Sequence, residues 1–175
     1  VVGLSFHAVE AQTVSRGPLP DGGTPDSPFI AVAEHLRPTV VSISVRKARD
    51  ADTPEYFWDP ERGSVKRYGS APPQFGSGVI IGTDGYVLPN NHVIDRASTI
   101  RVTLSDNTEY NARIVGQDPE TDVALIRLVT TGRLRDDQVA PIGDSDAVRV
   151  GEWVVAIGNA EDLPGGPTVT QGIVS

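Results

Sequence analysis

A chain of 175 residues, 38% hydrophobic and 22% charged, has the composition of one ordinary globular domain or of one and a half small ones. Fifteen Lys and Arg against 23 Asp and Glu give a net charge of −8, which excludes the basic footprint of a nucleic-acid binder. No apolar run reaches the ~18 residues that span a bilayer, and with no cysteine there is no disulfide framework, thiolate zinc site or cysteine nucleophile.

Methionine is absent too, so the N-terminus is expected to lie inside its translation product. Residues 1–11 are mostly small or apolar and end Val9-Glu10-Ala11, with small residues at the last and third-last positions. That pattern fits the end of a secretory signal. A shortened membrane anchor before residue 12, or a plain arm bearing His7 and Glu10, has the same pattern. Residues 12–28, with Pro18, Pro20, Gly22, Gly23, Pro25 and Pro28, form a linker. Ser27 then caps a short helix, Pro28 suits its first position, and Phe29, Ala33 and Leu36 share one face until Pro38 stops it. Residues 39–45 form a β-branched strand.

Residues 46–75 are expected to be a long irregular insertion, punctuated by Pro54, Pro60, Gly63, Pro72 and Pro73. Tyr56, Phe57 and Trp58 stand together inside it, to cover either their own domain or a partner. Short strands follow at 78–81, 86–88, 99–104, 109–115, 123–128, 154–157 and 168–170, with turns at Thr83-Asp84-Gly85 and Asp106-Asn107. Their spacing predicts an all-β barrel or sandwich rather than a parallel sheet.

The chemistry rests on few side chains. His7 lies in the N-terminal arm and His35 on the short helix, whereas His92 stands where a strand breaks into a turn, in Leu88-Pro89-Asn90-Asn91-His92-Val93-Ile94. Asp122 precedes the apolar strand at 123–128. Strand edges and loops are where a scaffold presents reactive groups, although a single His or Asp in a turn is more often a solvated or capping residue. Three scattered histidines lack metal-ligand spacing, and Gly76-Ser77-Gly78 lacks the glycine and lysine of a phosphate loop. No cofactor is expected.

Gly76-Ser77-Gly78-Val79-Ile80-Ile81, Asp84-Gly85-Tyr86-Val87-Leu88, Asn90-Asn91-His92-Val93 and Thr121-Asp122-Val123-Ala124-Leu125 occur in that order. Gly143-Asp144-Ser145-Asp146, Val150-Gly151-Glu152-Trp153-Val154, Ala156-Ile157-Gly158-Asn159 and Val169-Thr170-Gln171-Gly172-Ile173-Val174-Ser175 continue the series. Across roughly residues 29–175 this ordered set resembles the front of the protease domain of the HtrA (Deg, or Do-like) serine endoproteases. The resemblance implies a chymotrypsin-like double β-barrel with a short N-terminal helix, the first barrel complete and the second truncated. The expected divisions are a signal or anchor remnant and linker at 1–28, the helix and first barrel at 29–140, and the start of the second barrel at 141–175.

By the same resemblance His92 is the general base of a Ser-His-Asp triad, and Asp122 orients it. The serine is expected past residue 175, in a Gly-Asn-Ser-Gly-Gly-Pro segment, with PDZ modules beyond it, so this chain alone is expected to be inactive. Ser145 is followed by Asp146 and Ala147 rather than glycines and is expected to be structural. Gly165-Gly166-Pro167 has no preceding serine, and Ser175 ends a strand. Pro89, where threonine is usual, and the long turn at 159–166 depart from the family pattern and keep a non-catalytic scaffold as the alternative. The resemblance further implies unfolded or misfolded envelope proteins as substrates. It also implies a homotrimer or higher oligomer with Phe29 and residues 56–58 at contacts, and a periplasmic or envelope location, soluble or anchored to the inner membrane.

Overall fold

The computed structural model describes residues 27–47, 55–67, 73–158 and 167–175. The expected leader or anchor, the linker up to residue 26 and the turn at 159–166 lie outside the described residues. Helix α1 (Pro28–Leu36) starts as its sequence dictates, with proline at the first position and the Ser27 hydroxyl accepting from the Phe29 amide at 3.4 Å. Pro38 ends it through a 3-10 turn, Arg37–Thr39, fastened where the Thr39 hydroxyl donates to the Leu36 carbonyl at 2.8 Å.

The chain then enters β1 (Val40–Lys47), and the strands β2 (Glu55–Asp59) and β3 (Gly63–Arg67) follow. The described part of the 46–75 segment is therefore not irregular. Lys47 still belongs to β1, Gln74 and Phe75 already belong to β4 (Gln74–Gly82), and β2 and β3 pair as an antiparallel hairpin with Trp58 opposite Ser64. Aromatics favour extended backbone, and Gly63 at φ 71° takes the left-handed conformation that closes the turn. Trp58 is 76% exposed on this hairpin.

Six strands close a barrel. After β4 come β5 (Tyr86–Pro89), the single-turn helix α2 (Asn91–Ile94), β6 (Ala97–Thr103), β7 (Glu109–Asp118) and β8 (Val123–Leu128). The order around the barrel is β1, β4, β5, β8, β7, β6 and back to β1, every pair antiparallel. Register shifts at Ile80/Gly82 and Ile114/Gly116 bend the strands enough for closure. The interior is aliphatic: Ile43, Ile80, Val87, Val102 and Ile126 have no exposed surface. Closure spares the barrel the two open edges that a flat sheet of the same six strands would expose.

Beyond the barrel, 3-10 turns at Asp136–Gln138 and Ser145–Ala147 lead to β9 (Trp153–Gly158), which pairs with β10 (Thr168–Ile173). The ladder extends past the strands: the Gly151 amide donates to the Val174 carbonyl and the Val174 amide to the Glu152 carbonyl. Val150, Trp153 and Ile173 are largely exposed on this pair. The Phe29 ring of α1 meets Trp153 with centroids 5.7 Å apart, so it has an aromatic neighbour within the chain. The architecture is the chymotrypsin-like, mostly β fold that the resemblance implies. Among the described residues no helix is long and apolar enough to cross a membrane.

Candidate active site

The β5 ladder ends at buried Pro89, which stands opposite Gly78 at a strand end, where a missing amide is tolerated. The chain leaves through Asn90, which still bridges to Val123 at the start of β8, and turns at once into α2. His92 therefore sits on one helical turn, where a simple strand-to-turn break is expected from sequence. Buried Asn91 and Ile94 root that turn. The Asn91 side-chain oxygen accepts from the Gln117 amide on β7 at 3.0 Å.

Asp122 arrives from the other side, as the last residue of the β7–β8 turn, directly before β8. The Asp118 carboxylate shapes this turn by accepting from the Glu120 amide at 3.1 Å and the Thr121 hydroxyl at 2.7 Å. These bonds, led by the Thr121 hydroxyl, hold the Asp118 carboxyl below the usual carboxylate range. Asp122 itself has φ 57°, a left-handed backbone that costs a non-glycine residue about 1–2 kcal/mol. Such outliers survive only where surrounding contacts dictate them.

Those contacts come from α2. The His92 Nδ1 lies 2.7 Å from Asp122 Oδ2, and the His92 backbone amide donates to Asp122 Oδ1 at 2.8 Å. The Asn91 amide donates to the Asp122 carbonyl at 3.1 Å. The carboxyl is held below its ordinary range, first by the His92 backbone N–H, then by the ring, with the charge attraction and the Asn90 amide adding to it. An ionised carboxylate only accepts, so the ring proton belongs on Nδ1 and Nε2 is left as an acceptor. The pair remains open: the His92 side chain is 71% exposed and that of Asp122 42%.

The two site residues named from sequence thus meet, 30 positions apart in the chain. Pro89 removes no donor that Asp122 uses, since those donors come from Asn90, Asn91 and His92. Ser145 opens the 3-10 turn that Asp144 caps by accepting from the Asp146 amide at 3.0 Å. His35 lies elsewhere, in an open groove of about 440 Å³ with Thr83, Asp136 and Asp137. Among the described residues no group of three or more His, Cys, Asp or Glu could hold a metal ion. Asn90 and Gln117 are the site residues that sequence reasoning missed. The signal available for the first was an amide side chain two residues before the histidine.

Residues 76–175 match the model of the trypsin-like peptidase domain. Over 169 residues the chain is 40% identical to the periplasmic serine endoprotease DegP of Escherichia coli K12, covering 81% of this chain and 35% of that protein. It is 39% identical to a probable periplasmic serine protease do/HhoA-like of Haemophilus influenzae, covering 100% of this chain and 39% of that protein. A probable DegP-like periplasmic serine endoprotease of Brucella suis is 34% identical over 98% of this chain and 39% of its own length. The chain belongs to the trypsin-like peptidase domain family, within its HtrA/Deg group. It spans somewhat over a third of the length of these relatives.

Proposed function

We propose that this chain is the base-bearing part of an HtrA/Deg-type serine endopeptidase domain. His92 acts as general base and Asp122 as its orienting carboxylate. The observation that carries this reading is the two-point hold of Asp122 on His92, at the ring and at the backbone amide, which leaves Nε2 available to a serine hydroxyl. In the whole protein that hydroxyl comes from a residue past position 175. Its proton passes to Nε2 as the oxygen attacks a peptide carbonyl, and returns to the amine that leaves. Asp122 keeps the ring in the Nδ1–H tautomer throughout and stabilises the imidazolium formed between the two transfers.

The names of the relatives support a periplasmic setting. Unfolded or misfolded envelope proteins are the substrates that go with this reading, and a homo-oligomer is its assembly state. The test uses the intact native protein and a fluorophosphonate probe that labels activated serines, read by whole-protein mass. One adduct, lost in His92→Ala and Asp122→Ala, is the expected result. An intact protein that takes up no probe overturns the catalytic reading and leaves a scaffold that works by binding.

A further inference from the structure

Asn90 occupies the N-cap position of α2, where an asparagine side chain ordinarily accepts from the amides of the second or third helical residue. Here it makes no such bond. The second amide of α2, that of His92, is satisfied from 30 residues away by the Asp122 carboxylate. The freed Asn90 side chain turns to the same residue, its amide nitrogen lying 3.2 Å from both the carbonyl oxygen and Oδ2 of Asp122. Both neighbours are acceptors, so the chemistry fixes which end of the amide faces them.

We infer that Asn90 is a positioning residue for Asp122, and through it for the His92 tautomer. One amide group grips the aspartate at two points, its backbone carbonyl and its carboxylate, and so ties the side-chain rotamer to the backbone. A carboxylate needs such a tie when it is substantially open to water, because solvent competes for both oxygens and an exposed ion pair gains little by itself. The left-handed backbone of Asp122 adds to the need, since it brings the carbonyl round to the side where Asn90 can reach it together with Oδ2. Asn90 touches no reacting atom. Its effect is to keep Oδ2 opposite Nδ1.

This inference rests on the catalytic reading of the pair, and its test separates the two. The intact native protein is labelled with nitrogen-15 and the two ring nitrogens of His92 are observed at a pH where the ring is neutral. In the unaltered chain the Nδ1–H tautomer should dominate, and Asp122→Asn should return the ring towards the Nε2–H form that free histidine prefers. Asn90→Ala and Asn90→Leu both remove the donor, and the second keeps the bulk. Each should lower the Nδ1–H population several-fold while the core amide resonances stay in place. Asn90 is exposed, so both variants should fold. If His92 keeps its Nδ1–H tautomer in both variants while Asp122→Asn reverses it, the role of Asn90 is refuted and the His–Asp pair stands. If the unaltered chain already shows Nε2–H, both the pair and the role of Asn90 fall.

Discussion

Gly76 lies on β4 directly under α2, and its missing side chain is what lets the helical turn of His92 sit down. A Cβ built there would stand 2.6 and 2.7 Å from the two methyl groups of Val93. Ordinary contact begins at 3.4 Å, so each methyl must retreat by most of an ångström. A β-branched side chain offers no escape by rotation, because turning one methyl away brings the other in. Nor can the turn simply lift, since Ile94, the next residue, is fully buried in the barrel core. Gly76→Ala should therefore destabilise by about 1–3 kcal/mol, the usual cost of overpacking. Urea unfolding should show it as a lower midpoint at unchanged slope. Gly116→Ala, also in a strand but with nothing within 4 Å of the new Cβ, is the control and should cost nothing. Adding Val93→Ala to Gly76→Ala removes both offending methyls, so the double variant should recover at least about 1 kcal/mol relative to additivity. Equal stability of Gly76→Ala and Gly116→Ala, or no recovery on adding Val93→Ala, would refute the close packing of α2 on Gly76.

Three further outcomes are expected. The folded Asp122 carboxyl is held below its unfolded range, so its contribution is complete above that range and is lost as pH falls through the lowered value. Urea midpoints taken downwards from about pH 6 should accordingly fall less steeply in Asp122→Asn than in the unaltered chain. Ile43→Ala, at a site with no exposed surface, should cost about 2–5 kcal/mol, whereas Trp58→Ala on the outer hairpin should stay within about 0.5 kcal/mol, both measured by urea unfolding. Replacing exposed Val150 and Ile173 by lysine should raise the concentration at which the chain stays monomeric in sedimentation, with the thermal midpoint unchanged.

The elements that were legible in the sequence are those whose signals are local. Ser27 and Pro28 announce the helix and Pro38 its end, and the alternation at 99–104 announces β6, because capping and period-two burial act within a few residues. The hairpin of β2 and β3 was obscured by the prolines and glycines around it, although the aromatic run at 56–58 carried the β-propensity that forms it. Closure was legible only through the family resemblance, since spacing alone left barrel and sandwich both open. Whether β1 pairs with both β4 and β6 depends on register between strands dozens of residues apart, and no local pattern encodes that. The site divides the same way: each of His92 and Asp122 is recognisable at a strand end, but their meeting came from the family resemblance.

What placed those two residues together is the barrel's handling of backbone polarity. A strand that stops at Pro89 and a helix that starts at Asn91 leave amides needing acceptors, and a tight β7–β8 turn leaves a carboxylate needing donors. Bringing β8 alongside β5 satisfies both needs with one residue, Asp122, which takes the His92 amide on one oxygen and the ring on the other. The arrangement thus serves chain capping and imidazole orientation at once, and the two can be taken apart. Asp122→Asn keeps an oxygen for the amide but removes the charge facing the ring, so α2 should remain in place while the tautomer changes. Asp122→Ala leaves the His92 amide without its acceptor and should loosen the turn as well. Faster hydrogen exchange at the His92 and Val93 amides in the alanine variant, and not in the asparagine variant, would separate the fold's use of Asp122 from the chemistry's. Equal exchange in both variants would mean that the capping argument is wrong and that other contacts hold the turn.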